Sequence, residues 1–80
     1  MDMAPTVLDN NLKLTQWQAA VLAEHARRML NPLYAVLSRS SQARLLAKFC
    51  QAERVTDEHG KKVEPQSIGA FLMRNVDNHR

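Results

Sequence analysis

His25, Cys50, His59 and His79 are the side chains of this 80-residue chain with the chemistry to hold a metal, and Cys50 is its one thiol nucleophile. Zinc sites draw ligands in pairs two to four residues apart, and no two of these four stand at that spacing. Surface histidines and a buried thiol account for them more simply. Cys50 falls on the inner face of a helical pattern with no histidine placed beside it, which reads as a small apolar filler rather than an activated nucleophile. Asp57, Glu58 and His59 cluster in a turn-like stretch, where such residues serve local hydrogen bonding. With Gly60 and Gly69 the only glycines, there is no glycine-rich loop to cradle a phosphate. The expectation is a protein that is not an enzyme and needs neither cofactor nor metal.

Binding chemistry remains, and the chain is mildly basic, with 11 Lys and Arg against 8 Asp and Glu for a net charge of +3. Distribution decides more than the total. Arg27, Arg28, Arg39, Arg44, Lys48 and Arg54 dominate the middle of the chain, where Glu24 and Glu53 are the only acids. Two surfaces suggest themselves. The first is the outer side of the segment "KKVEPQSIGAFLMR": Gln66, Gly69, Ala70, Met73 and Arg74, preceded by Lys61 and Lys62. Small residues there admit a partner's backbone, and Gln66, Ser67 and Arg74 carry donors. The same small residues would equally let this helix pack closely on another. The second surface is Arg39, Arg44 and Lys48 with Arg27 and Arg28, for which a solvated basic face is the plainer reading.

The elements that must position these residues are helical. A content of 45% hydrophobic and 5% aromatic residues, with four Met, builds a core from Leu, Ala, Val and Met and favours packed helices over a sheet. Eighty residues make one domain with a modest core. Residues 1–13 hold Pro5, Asp9, Asn10 and Asn11 without a sustained period and read as a tail, leaving residues 14–80 as the domain. In "TQWQAAVLAEHARRML", Thr15 and Gln18 have capping-box spacing, which predicts a first helix to about Leu30 with an apolar stripe of Leu22, Ala26, Met29 and Leu30, Ala19 and Trp17 or Val21 at its edges, and Glu24 paired with Arg28 outside.

Asn31 and Pro32 end that helix and start a short second one with Leu33, Val36 and Leu37 inward and Tyr34 at the flank. Ser40 or Ser41 then caps a third, "QARLLAKFCQAER", with Leu45, Leu46, Phe49 and Cys50 inward and Arg44 and Lys48 one turn apart outside. "VTDEHGKKV" is either a plain loop or a tiny hairpin pairing Val55 and Thr56 with Lys62 and Val63. Pro65 opens a fourth helix whose inner face is Ile68, Phe71, Leu72 and Val76, and Asn75, Asp77 and Asn78 end it. The predicted fold is all-α, a compact bundle of four helices, one of them short.

Two resemblances bear on function. "SSQARLLAKFCQAERV" followed by "VEPQSIGAFLMRNV" resembles the helical, DNA-embracing N-terminal domain of tyrosine recombinases, and Val63 to Leu72 resembles the reading helix of a helix-turn-helix. The first covers about half the chain and the second ten residues. A helix-turn-helix joins its helices by three or four residues, whereas Val55 to Glu64 spans ten, so the loop is an insertion or the motif is absent. Nothing like a recombinase catalytic domain follows, so the resemblance implies a stand-alone DNA-binding module.

The leading expectation is a small nucleic-acid-binding regulator, with Arg44, Lys48, Lys61 and Lys62 on phosphates and Gln66, Ser67, Ala70 and Arg74 facing base edges. The alternative is a protein-binding adaptor or inhibitor, such as a phage or mobile-element protein that blocks a host machine, using Trp17, Val21, Tyr34 and Met73 as apolar anchors left uncovered by four short helices. A homodimer fits either. One cysteine rules out an internal disulfide, and the acidic, proline-bearing start "MDMAPTVLDNNLK" lacks the features of a signal peptide, so a reducing cytoplasm is expected. No run approaches the roughly 20 apolar residues of a membrane span.

Overall fold

The computed structural model describes residues 13–77 and is all-α: α1 (Gln16–Arg28), the single-turn α2 (Pro32–Ala35), α3 (Arg39–Ala52) and α4 (Pro65–Leu72), which runs on into a π-helical turn (Met73–Asp77). α4 packs chiefly on α3, and α1 lies against both. The side chains that close this three-way junction are Val21 of α1, Leu46 and Cys50 of α3, and Ile68, Phe71 and Leu72 of α4, all buried almost completely. Trp17 meets Phe71 edge-to-face, with ring centroids 5.6 Å apart, and this ties the first turn of α1 to α4. No described helix is long and apolar enough to cross a membrane.

The helix ends follow local chemistry. Thr15 and Gln18 form the expected capping box, each side chain bonding the other's backbone N–H. Asn31 caps α2 with Pro32 at its first position. α3 starts earlier than predicted, capped by Ser38 rather than Ser40 or Ser41, with the Ser41 N–H donating to the Ser38 hydroxyl. It ends in a Schellman arrangement, in which Val55 N–H donates to the Cys50 carbonyl and Arg54 N–H to the Gln51 carbonyl. Arg54 sits at φ +60°, the left-handed conformation that glycine more commonly supplies. At the far end of the chain the Asn75 side-chain amide donates to the Phe71 carbonyl where the ladder widens into the π turn.

Two predicted faces are corrected. α1 does not bury Leu22, Ala26, Met29 and Leu30: its inner face is Trp17, Val21, Glu24 and His25, with Leu22 only partly covered, Ala26 exposed and Leu30 84% exposed. α2 does not turn Leu33, Val36 and Leu37 inward, because Tyr34 takes that place. The cause is one buried polar network. Tyr34 Oη lies 2.8 Å from His25 Nδ1, the Gln42 amide donates to the Tyr34 carbonyl at 3.0 Å, and the Arg39 guanidinium donates to the Gln42 side chain and faces His25 Nε2. Both ring nitrogens of His25 thus face polar groups, Nδ1 the tyrosine hydroxyl and Nε2 the guanidinium. Burial raises the Tyr34 hydroxyl above its ordinary pKa. Buried polar atoms are tolerated when each finds a partner, and here the partners fix which way α1 and α2 face.

Glu24 belongs to the same wall. Arg27 and Arg28 both donate to its carboxylate, so the expected Glu24–Arg28 pair exists but lies on the buried side of α1. The hydrogen bond from Arg27 holds the Glu24 carboxyl below the usual carboxylate range, aided by Arg28 and opposed by burial.

Candidate functional site

The loop between α3 and α4 carries two of the predicted phosphate ligands, and its shape is set by three anchors. Asp57 is the first. Its own N–H donates to the Lys61 carbonyl, and its Oδ1 accepts from the backbone N–H of Lys61 and of His59, two bonds that lower its carboxyl pKa, that from Lys61 most. Gly60, at φ +75°, supplies the left-handed residue the turn needs. The second anchor is Trp17, whose indole N–H donates to Glu58 across 41 positions of sequence. The third is Val63, 2% exposed in the core. A single antiparallel bridge, Thr56 with Lys62, is all that forms of the suggested hairpin, because side chains and not a ladder hold the loop. Lys61 and Lys62 therefore project from a fixed backbone.

All eight predicted nucleic-acid ligands are exposed, but α4 divides them. On one side, Arg44, Lys48 and Gln51 of α3 line an open groove with Lys62 and Glu64 of the opposite wall. It continues past Arg44 and Pro65 into a second groove, where Arg39 and Ser40 face Gln66, Gly69 and Met73. On the other side of α4, Ser67, Ala70 and Arg74 share a cleft with Trp17, Asp57 and Glu58, and Lys62 and Glu64 reach this cleft as well as the groove. That cleft holds carboxylates, which oppose a phosphate chain. The first side is cationic, with Glu64 the one acid among its lining residues. Arg44, Lys48 and Lys62 form no ion pair among the described residues; Arg44 donates only to the Ser41 hydroxyl.

The structure thus brings together Arg44, Lys48, Lys62 and Gln66 and separates Arg44, Lys48 and Gln66 from Ser67, Ala70 and Arg74; Lys62 lines the clefts on both sides, and Lys61 is exposed on the loop beside it. Gln51 and Ser40 join the cationic side without having been singled out from sequence. Gln51 had a readable signal, since Arg44, Lys48 and Gln51 recur at four- and three-residue steps on the outer side of α3. Arg27 and Arg28, proposed as part of a basic face, are instead engaged by Glu24. Of the apolar anchors of the alternative reading, Trp17, Val21 and Tyr34 are buried and out of a partner's reach, and only Met73 is exposed. The side chains that four short helices leave uncovered are others: Leu30, Leu33 and Val36.

Gly69 can be tested directly. A methyl group placed on its Cα would stand 4.0 Å from the Ala43 Cβ, an ordinary contact, so close packing of α4 on α3 does not require glycine. Gly69→Ala is expected to stabilise the fold by about 1 kcal/mol through helix propensity and a less flexible unfolded chain. The gain corresponds to roughly 4–8 °C in Tm for a domain of this size, read by circular dichroism.

Cys50 is fully buried, and burial pushes its thiol pKa up, away from the reactive thiolate. Among the described residues no three His, Cys, Asp or Glu side chains come together to hold a metal, and His79 lies outside them, as do residues 1–12 of the predicted tail. Comparison of the chain with protein-family models, with curated proteins and with solved structures gives no significant match to any of them.

Proposed function

We propose that this chain is a small non-enzymatic nucleic-acid-binding protein that grips a phosphate backbone along the groove between α3 and the segment leading into α4. The observation that carries the reading is the convergence of Arg44, Lys48 and Lys62 on one open groove, where Glu64 is the one acid and none of the three forms an ion pair among the described residues. Arg44 and Lys48 stack one turn apart on α3, a repulsive pairing that an anion relieves. Lys62 reaches the groove from a loop held by Asp57, Trp17 and Val63, so its placement costs little further ordering on binding. Gln66, at the first turn of α4, lies beside Arg44 and is the side chain best placed to contact a base edge or sugar. Arg74, Ser67 and Ala70, beside Asp57 and Glu58, are secondary in this reading.

Fluorescence anisotropy against mixed-sequence duplex DNA tests it. Neutralising three phosphates gives a slope of log affinity against log salt of about −2.7, a loss of roughly 40-fold between about 50 and 200 mM. A flat salt response, or no binding at the lower salt, overturns the proposal and turns the search to a protein partner.

A further inference from the structure

The segment from Met29 to Leu37 carries five of the six exposed large apolar side chains among the described residues, and nothing in the described fold covers it. Leu30 is 84% exposed, Leu33 77% and Val36 79%, with Met29 and Leu37 at the margin. Leu30, Leu33 and Val36 follow one another at three-residue steps through α2. They are not loosely held. Tyr34, anchored by His25 and by the Gln42 amide, fixes α2 with its apolar residues outward, so the display is built into the fold by a buried hydrogen-bond network.

We infer that this corner is a homodimer interface, in which α2 and the end of α1 meet the same elements of a second copy. Two features single out a second copy as the occupant. In a two-fold contact each residue near the axis meets its own counterpart, so a charge there would face a like charge. No charged residue lies between Arg28 and Arg39, and two copies of a chain with net charge +3 can approach through that stretch without such opposition. The second feature is area. At these exposures the patch presents roughly 500 Å² per copy, the size at which exposed apolar patches are functional, and a pair would bury on the order of 1,000 Å², the lower bound for a specific interface.

The inference stands apart from the nucleic-acid reading, because patch and groove share no residue. Sedimentation equilibrium of the full chain, from about 10 to 500 µM, is expected to show a mass rising from 9.1 kDa towards twice that value. Leu33→Glu, at a mostly exposed position, is expected to hold the protein at the monomer mass with an unchanged circular dichroism spectrum, weakening association by at least about tenfold. Met73→Glu, exposed but elsewhere, is expected to leave the dimer intact. Val36→Cys provides a second readout: the only native thiol, Cys50, is buried, so mild oxidation is expected to give a disulfide-linked dimer through position 36. A wild-type mass that stays monomeric at the highest concentration overturns the inference, as does association that Leu33→Glu leaves untouched. If Leu33→Glu fails to fold, Val36→Glu, at another mostly exposed position of the patch, takes its place: association that it leaves untouched counts against the interface.

Discussion

Phe71→Ala is expected to destabilise the protein by about 3–5 kcal/mol, the largest loss of any single core truncation. Phe71 is 1% exposed, lies among Ile68, Leu72, Leu46 and Val21, and meets the edge of Trp17. Truncating a buried phenylalanine costs about 3–5 kcal/mol, from lost transfer free energy and the cavity left behind. A folded unit of this size has roughly 3–10 kcal/mol in total, so the substitution removes a third of the stability at the least and all of it at the most. Phe71→Leu, which keeps most of the volume, is expected to cost less than about 1.5 kcal/mol. Trp17 is the only tryptophan and touches the substituted ring, so its fluorescence reports the loss alongside urea denaturation followed by circular dichroism. If Phe71→Ala melted within about 0.5 kcal/mol of the parent, in the range of surface changes, the α1–α4 junction would not be the structural centre.

The same residues explain what could and could not be read from the sequence. α4 was legible because Ile68, Phe71 and Leu72 are large, apolar and helically spaced, and Pro65 marks the start. The Thr15–Gln18 box and the Asn31–Pro32 start of α2 are local signals, decided within four residues, and both are found as expected. The inner faces of α1 and α2 were not legible by counting apolar residues. Glu24 and His25 are buried because Arg27, Arg28 and Tyr34 satisfy them, and a tertiary hydrogen bond carries no periodic mark. The end of α3 lacked its usual sign as well, since Arg54 stands where glycine would announce the left-handed residue. Ser38, Ser40 and Ser41 are all competent caps by type. The cap that forms puts Arg39 in the first turn of α3, within reach of both Gln42 and His25.

The site was half legible for a related reason. Arg44 and Lys48 share a side of α3 by helical spacing alone, whereas their meeting with Lys62 depends on the path of a loop set by Asp57 and Trp17. Ser67 and Gln66 are adjacent in sequence and fall on opposite flanks of α4, because consecutive helical residues are about 100° apart. A set of residues assigned to one binding surface by proximity in sequence was therefore bound to split. The division has a functional corollary, because Arg74 and Lys62 are both exposed cations bordering the cleft of Asp57 and Glu58, yet only Lys62 also reaches the groove of Arg44 and Lys48.

Reversing charge at Lys48 and Lys62 together is expected to abolish most nucleic-acid affinity while leaving the fold intact. Each lysine contributes about one unit of salt slope if it neutralises one phosphate, so the double variant Lys48→Glu, Lys62→Glu should flatten the slope from about −2.7 to about −0.9. Two carboxylates facing the backbone add repulsion to the lost contacts, and the combined effect near 50 mM salt is a loss of roughly 100-fold or more, uniform across sequences because phosphate contacts carry no base information. Both positions are exposed and make no ion pair among the described residues, so stability should change by less than about 0.5 kcal/mol each. Arg74→Glu is the informative control. It alters net charge by as much as either single reversal but lies across α4 beside Asp57 and Glu58. Because Lys62 also borders that cleft, the comparison is with Lys48: if Arg74→Glu weakened binding as much as Lys48→Glu, attraction would follow net charge rather than the groove. Specific weakening by Lys48 and Lys62 would instead locate the phosphate path between α3 and the loop, with Gln66 of α4 as the next position to vary for sequence preference.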